Sequence, residues 1–238
     1  MVRMEIYTGT SGFSYKEWKG SFYPEKIKPD EMLSFYASKL GAVEINNTFY
    51  RMPKESVVEG WAGQTPEAFR FSIKASRRIT HMKRLKDVDE EVGYLLRSIG
   101  ALGVRLGVVL FQLPPNMKKD MDRLSAFLDV LPEATPAAFE FRHASWLEDD
   151  EMSTLLASRG VALVTADVDD APTPELLSTP GIGYVRLRRT SYSDADLKAW
   201  VDRIAAQAWS SAFVFFKHED EASGPAMAAA FHEAWSAR

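Results

Sequence analysis

The chain has 238 residues, a hydrophobic fraction of 46% and a formal net charge of −4, a composition typical of a globular protein with a substantial core and not of a nucleic-acid coat. It contains no cysteine, which excludes disulfides, thiolate metal sites and a cysteine nucleophile. Since residues 1–12 hold no long apolar stretch and no run reaches the length of a membrane span, we expect a cytoplasmic protein with no membrane partner.

Strands and helices are predicted to alternate eight times along the chain. The predicted strands cover residues 4–9, 42–46, 69–74, 106–113, 137–142, 161–167, 183–188 and 212–218. The predicted helices cover 30–40, 54–63, 87–102, 118–131, about 147–159, a stunted piece at 172–177, 193–208 and 225–235. Asp87, with Glu90 three residues on, predicts a capping box, and Ser193 with Asp196 predicts another helix start.

This alternation indicates a parallel sheet with helical crossovers, and eight units favour closure into a barrel. We therefore predict a single domain over residues 1–238. Its expected fold is an α/β (β/α)8 TIM-like barrel with long aromatic-rich βα loops and a polar C-terminal mouth. The alternative is an open doubly wound sheet, which would carry a glycine-rich phosphate turn after its first strand. Gly9 to Gly12 resembles such a turn only weakly.

Side chains alternate between the two faces of a strand, so one set should face the helices and the other the lumen. The predicted outward set is apolar: Ile6, Val43, Ile45, Phe69, Phe71, Ile73, Val109, Phe111, Phe139, Phe141, Ala162, Val164, Val185 and Leu187. The predicted inward set is polar: Tyr7, Gly9, Glu44, Asn46, Ser72, Lys74, Gln112, Glu140, Arg142, Thr165, Asp167, Tyr184, Arg186 and Arg188. On the eighth strand, the pattern does not decide between Lys217 and His218.

Buried charges must pair, bind a ligand or meet water. One interpretation of the charged lumen is a salt-bridged plug. The other is an active site, since catalytic groups in such barrels lie at the C-terminal ends of strands. In the second interpretation Glu44, Glu140, Lys74 and Asp167 are the candidate catalytic residues, and the paired carboxylates suit acid–base work. Lys74, Arg142 and Arg186 form a candidate anion clamp.

Further candidates for ligand binding lie on the predicted rim, which is also rich in basic residues after the third and seventh strands. Aromatic faces could stack on a sugar or a base, although most such residues should pack loops onto the barrel. The candidates are Tyr15, Trp18, Asn46, Tyr50, His81, Gln112, His143, Trp146 and Lys217.

A divalent ion could bind Glu44, Glu140 and Asp167 with His143 or His218, but no HExxH-type spacing supports this site. We therefore assign no metal ligands, and the cofactor is left open.

The ordered motifs resemble those of a known family, domain of unknown function 72, the YecE-like barrels. The resemblance covers nearly the whole chain. It rests on Gly9 to Phe13 with Tyr15, Trp18, Gly20 and Phe22 to Pro24, on Glu44 to Asn46 with Thr48 to Tyr50, on Phe71 with Lys74, and on Ile79 to His81, Phe111 to Pro115, Glu140 to His143 with Trp146, Asp167, and Tyr184 to Leu187. It implies a TIM-like barrel of no established activity. The chain departs from the family pattern at Lys217 to Asp220 and at Ala229-Ala230, where the family commonly has asparagines.

The leading functional hypothesis is an enzyme that acts on a small phosphorylated or otherwise anionic substrate, sugar-like or nucleotide-like. One alternative is a metal-dependent phosphodiesterase or nuclease, with nucleic acid as a weakly supported partner. Another is a non-enzymatic ligand-binding or interaction protein. The sequence leaves the oligomeric state open.

Overall fold

The computed structural model describes residues 4–217 and 222–238. Eight parallel strands form a closed barrel in chain order, each paired with the next and the eighth with the first. The strands are β1 (Glu5–Ser11), β2 (Ala42–Ile45), β3 (Arg70–Lys74), β4 (Leu106–Gln112), β5 (Ala137–Glu140), β6 (Ala162–Val168), β7 (Gly181–Arg188) and β8 (Trp209–Phe216). The predicted closed barrel is confirmed.

Helices surround the barrel on the outside. They are α1 (Met32–Ala37), α2 (Glu55–Gly63), α3 (Asp89–Gly100), α4 (Met121–Val130), α5 (Glu151–Ser158), α6 (Asp194–Ala205) and α7 (Ser223–Ser236). Short helical turns follow several strands, at Lys16–Trp18, Asn47–Phe49, Arg78–Met82 and Ala144–Trp146. These turns hold much of the rim of the barrel mouth.

The predicted stunted helix at 172–177 is not formed. Pro172 and Pro174 lack backbone donors and disfavour helical geometry before them. The segment instead binds β6 through side chains: the Leu177 amide donates to Thr165 Oγ1 at 2.9 Å, and Thr179 Oγ1 donates to the Val161 carbonyl at 2.8 Å. The connection from β6 to β7 thus packs on the barrel without a helix.

One predicted helix cap is wrong and one is confirmed. α3 begins at Asp89, and Asp87 lies before it with φ of 51°, in the left-handed region that an N-cap residue does not use. At α6, in contrast, Ser193 and Asp196 form the reciprocal capping box.

Two separate cores explain how the barrel is filled. Outward-facing residues such as Val43, Phe71 and Phe139 pack with the helices in one large core. A smaller core fills the lower lumen with Ala42, Val108, Leu110, Ala138, Ala162, Val164, Tyr184, Phe213 and Phe215. The lumen is therefore apolar below, so any polar site is confined to the upper layer.

The predicted facing of β6 is wrong. Val164 pairs with Tyr184 and Ala166 with Arg186, and partners on neighbouring strands share a face. Ala162 and Val164 therefore belong to the lumen core, while Thr165 and Asp167 point outward. The polar residues of β6 were wrongly assigned to the lumen. Both faces of a barrel strand are buried, and outward-facing polar groups can anchor loops.

No helix within the described part of the chain is long and apolar enough to cross a membrane.

Candidate functional site

Glu44 forms the floor of the upper lumen. It lies one residue before the end of β2, faces inward and is fully buried. Its Oε1 accepts from Ser11 Oγ at 2.8 Å and Asn46 Nδ2 at 3.0 Å, and its Oε2 accepts from the Tyr184 hydroxyl at 2.8 Å. Burial opposes ionisation of this carboxyl, but the Arg186 charge and these hydrogen bonds outweigh it and lower its pKa to about 2. Glu44 is thus a fixed anion with its oxygens fully occupied.

Arg186, on β7, joins two carboxylates across the barrel. Its Nε and Nη2 donate to the two oxygens of Glu44 at 3.0 and 2.8 Å, and its Nη1 donates to Glu140 Oε2 at 2.6 Å. Burial would lower the pKa of this guanidinium, but Glu44 and Glu140 raise it instead. Because Arg186 already pairs with Glu44 and Glu140, it has little capacity to bind a further anion. Of the two interpretations of the charged lumen, the salt-bridged one therefore fits Glu44 and Arg186.

A second chain of contacts crosses the same layer from β3 to β5. Lys74 Nζ donates to Gln112 Oε1 at 2.8 Å, and Gln112 Nε2 donates to Glu140 Oε1 at 2.8 Å. Lys74 Nζ also lies 4.5 Å from the centroid of the Phe49 ring. Burial, followed by the charge of Arg186, lowers the pKa of Lys74 to about 8. Among the described residues Lys74 has no carboxylate in ion-pair contact.

Above this layer lies a cavity of about 410 Å³. The Lys74, Gln112, Glu140 and Arg186 side chains form its base. Its wall is completed by Ser11, Tyr15, Asn46, Phe49, Tyr50, Arg142, Ala166, Val168 and Arg188. The charged layer is therefore not a closed plug, because an open hollow adjoins it.

Arg142 and Arg188 supply positive charge to the cavity wall. Neither makes a hydrogen bond or ion pair with any residue in the described ranges 4–217 and 222–238. Burial and the nearby Arg186 charge lower the pKa of Arg188. With four cations against the two carboxylates Glu44 and Glu140, the described wall and base carry excess positive charge.

Several predicted rim residues pack loops instead of lining the cavity. Trp18 is 1% exposed and packs against Tyr15, Phe22 and Tyr23. Trp146 is fully buried, and its Nε1 donates to the Met117 carbonyl at 2.8 Å. Their predicted role as ligand-binding surfaces is not supported, since their rings are covered by protein.

The two rim histidines also lie outside the cavity lining. His143 Nδ1 accepts from the Ser145 amide and so caps a helical turn. His81 packs edge-on against Phe49, and burial together with the Lys74, Arg142 and Arg84 charges lowers its pKa. Tyr15, Asn46, Tyr50 and Gln112, in contrast, line the cavity, and their role in ligand binding stays a prediction.

Asp167 does not join the other candidate catalytic residues. From the outward face of β6, its Oδ1 accepts from Arg189 Nε and its Oδ2 from the Tyr192 hydroxyl, both at 2.9 Å. It is fully buried in these contacts. Asp167 thus anchors the segment between β7 and α6, and the predicted catalytic position is corrected.

The remaining predicted positions concern β8 and a metal. Phe213 and Phe215 face the lumen, and this alternation assigns Lys217 to the inward side, though it does not line the cavity. His218 lies outside the described residues. Among the residues that are described, no group of three or more His, Asp or Glu side chains is placed to hold a metal ion. The quartet considered from the sequence is not assembled, because Asp167 faces outward.

Arg188 lines the cavity, although no binding or catalytic role was predicted for it from the sequence. It was predicted to point inward, and its place two residues after Arg186 on the same strand face was the signal for it. Phe49 and Ser11 were also missed, since a half-buried aromatic and a turn serine carry no distinctive pattern.

Fold and site together define a class: an eight-stranded parallel α/β barrel whose C-terminal mouth holds a cation-rich cavity over a buried ion-pair network. The sequence profile of the family described as "Protein of unknown function DUF72" matches residues 7–238. The chain belongs to this DUF72 family.

Similar proteins agree with this assignment. UPF0759 protein YecE of Escherichia coli (strain K12) is 31% identical over 167 residues, which cover 68% of this chain and 59% of YecE. UPF0759 protein YunF of Bacillus subtilis (strain 168) is 31% identical over 149 residues, covering 59% of this chain and 52% of YunF. The matched stretches thus span little more than half the length of these relatives.

Solved structures of the family share the fold. The DUF72 family protein TM1631 from Thermotoga maritima MSB8 is 28% identical, with a TM-score of 0.81 over 96% of this chain and 98% of that one. The DUF72 family protein EF0366 from Enterococcus faecalis V583 has a TM-score of 0.81 at 18% identity over 99% of both chains. The predicted family resemblance is confirmed.

Proposed function

We propose that the chain is an enzyme whose mouth cavity takes a small anionic substrate, a phosphorylated sugar-like or nucleotide-like molecule. The observation that carries this proposal is the pair Arg142 and Arg188, which both line the cavity, lie close enough for the Arg142 charge to lower the pKa of Arg188, and have no ion-pair partner among the described residues. Arginine offers a planar fork of donors that matches phosphate or carboxylate oxygens.

The buried network below supports the proposal by fixing the base of the cavity. Arg186 is neutralised by Glu44 and Glu140, so it holds the base in place while Arg142 and Arg188 remain for the ligand. A binding site is most effective when its walls are positioned before the ligand arrives. We therefore assign the anion contacts to Arg142 and Arg188. The clamp predicted from the sequence was Lys74, Arg142 and Arg186.

Glu140 is the proposed acid–base group. It is 6% exposed, lines the cavity, and each of its oxygens accepts one hydrogen bond in the network, which leaves lone pairs available. Glu44 accepts five hydrogen bonds and does not line the cavity, so its role is to position Arg186.

Ligand-dependent stabilisation tests the anion site. Thermal unfolding is followed with inorganic phosphate, ribose 5-phosphate, glucose 6-phosphate and AMP at low salt. A ligand that binds only the folded state raises Tm, so we expect at least one phosphate compound to do so. Replacing Arg142 and Arg188 together by Met should abolish this rise.

The matched control is Arg97→Met, which removes an exposed arginine of α3 outside the cavity and should leave the rise intact. An equal rise in the wild type and the Arg142→Met/Arg188→Met variant would contradict the proposed site, as would no rise with any phosphate compound.

Turnover separates an enzyme from a binding protein. Each compound that stabilises the chain is incubated with the wild type and with Glu140→Gln, and products are followed by ³¹P and ¹H NMR. Conversion by the wild type that Glu140→Gln lacks, with phosphate binding retained, supports the enzyme. Binding without conversion would leave a non-enzymatic binding protein.

A further inference from the structure

Lys74 has an unusual set of neighbours for a lysine in a charged site. Lys74 lines the base of the cavity, and its Nζ donates to a neutral acceptor, Gln112 Oε1, instead of a carboxylate. Gln112 is itself oriented, because its Nε2 donates to Glu140 Oε1. The amide oxygen is therefore presented to Lys74 by the network. A neutral acceptor leaves no anion unpaired when the amine loses its proton.

The charges around Lys74 come from three strands and one turn. Glu44 on β2 and Glu140 on β5 favour the ammonium form, whereas Arg186 and Arg188 on β7 disfavour it. His81 lies in the turn after β3, where burial and then the Lys74 charge lower its pKa, so its neutral form is favoured. On another side, Lys74 Nζ lies over the apolar face of the Phe49 ring, 4.5 Å from its centroid.

We propose that Lys74 is an imine-forming amine, and that the substrate class of this site is a small phosphorylated aldehyde or ketone. The proposal rests on the proposed function for the phosphate contact with Arg142 and Arg188, which would bring a carbonyl in the same cavity to the lysine. An amine held apart from carboxylates and desolvated on one side is the arrangement in which lysine acts as a nucleophile.

The chemistry balances without a redox partner. The lone pair of the neutral Nζ attacks the carbonyl carbon, a C–N bond forms, and the carbonyl π electrons move to oxygen, which takes a proton. Nitrogen then loses a proton, and the hydroxyl leaves as water after a second protonation. The product is a C=N imine, protonated on nitrogen. Glu140, which lines the same cavity, is placed to accept and return the protons through solvent.

The burial that lowers the pKa of Lys74 to about 8 supports this role. At pH 7.5 such a group is neutral in about a quarter of molecules, whereas a solvated lysine with a pKa of about 10.4 is neutral in roughly one in a thousand. The difference in available nucleophile is about two orders of magnitude.

Reductive trapping tests the proposal on the wild-type chain. Glycolaldehyde phosphate and sodium cyanoborohydride are added at pH 7.5, and the labelled lysines are located by peptide mass spectrometry. We expect Lys74 to be alkylated at least tenfold faster than the exposed Lys26 of the same molecule, at a rate that rises through pH 8. Inorganic phosphate should slow this labelling by competition.

Two comparisons distinguish failure of this inference from failure of the proposed function. If Lys74 reacts no faster than Lys26 in a chain that phosphate still stabilises, the imine role is overturned while the anion site stands. If Lys74 reacts fast with uncharged glycolaldehyde and the phosphate group gives no advantage, the amine role stands and the phosphate contact fails. Lys74→Arg, which keeps the positive charge, should lose the label and retain phosphate stabilisation.

Discussion

Glu44 and Arg186 show that charged residues near the strand ends of a barrel can be occupied by pairing with each other. Both are almost completely buried, and they are joined by two parallel N–H···O contacts of 3.0 and 2.8 Å. Breaking a buried pair leaves an uncompensated charge that solvent cannot reach. Their contribution to the site is to hold the base of the cavity in one geometry.

Glu44→Gln should therefore destabilise the chain by about 3–5 kcal/mol, the range for removing one partner of a buried pair. The free energy of unfolding is measured in urea. Glu59→Gln, an exposed change on α2, is the control and should stay within about 0.5 kcal/mol of the wild type. Equal stability of the two variants would show that the Glu44–Arg186 contact does not hold the barrel together.

Most individual site residues could be predicted from the sequence, because the strand period of two is preserved through β2, β3, β5 and β7. Glu44, Lys74, Glu140, Arg142 and Arg186 all fall at inward positions near strand ends, and the structure brings four of them to one cavity with Glu44 beneath. What the sequence could not give was the pairing among them. Which cation is neutralised depends on distances across the barrel, and no local pattern encodes those.

At the scale of elements, β6 is where prediction failed. Its sequence places Ala162 and Val164 on one face and Thr165 and Asp167 on the other, and the polar face was taken as the lumen. The lower lumen is apolar in this barrel, so hydrophobicity does not distinguish the faces. The connection from β6 to β7 has no helix, and outward polar residues of β6 anchor the chain instead. Thr165 and Asp167 bind the chain segments on either side of β7.

Asp167→Asn tests this assignment. The buried carboxylate accepts hydrogen bonds from Arg189 and Tyr192, and a hydrogen bond to a charged group contributes about 1.5–3 kcal/mol. We expect a loss of that order in unfolding free energy, and an unchanged rise in Tm with phosphate. If Asp167→Asn is as stable as the wild type but phosphate no longer raises its Tm, the assignment is wrong and Asp167 belongs to the binding site.

Across the whole molecule, the ion-pair network links strands far apart in sequence. Glu44 on β2, Glu140 on β5 and Arg186 on β7 meet in one layer, and Ser11 on β1 and Gln112 on β4 add hydrogen bonds to it. The network thus spans the lumen beneath the cavity, while the apolar core fills the lumen below the network. Its protonation state should influence the stability of the entire fold.

The expected pH dependence follows from the lowered pKa of Glu44. Its value is about 2 in the folded chain, against an ordinary 4.5. Because the folded state binds the proton more weakly than the unfolded state, this stabilisation is complete above pH 4.5 and is lost as pH falls toward 2. Unfolding free energy, measured against pH, should fall more steeply in the wild type than in Glu44→Gln between those values. Parallel curves would contradict the network's role.

We expect the cavity beside this network to bind an anion between Arg142 and Arg188. Crystals soaked in selenate at low ionic strength test it directly, since selenium gives an anomalous signal at a known wavelength. We expect a selenium peak inside the cavity, with selenate oxygens within hydrogen-bond distance of both guanidinium groups and the Arg186 pairs to Glu44 and Glu140 unbroken. An empty cavity with selenate bound elsewhere on the surface would contradict it.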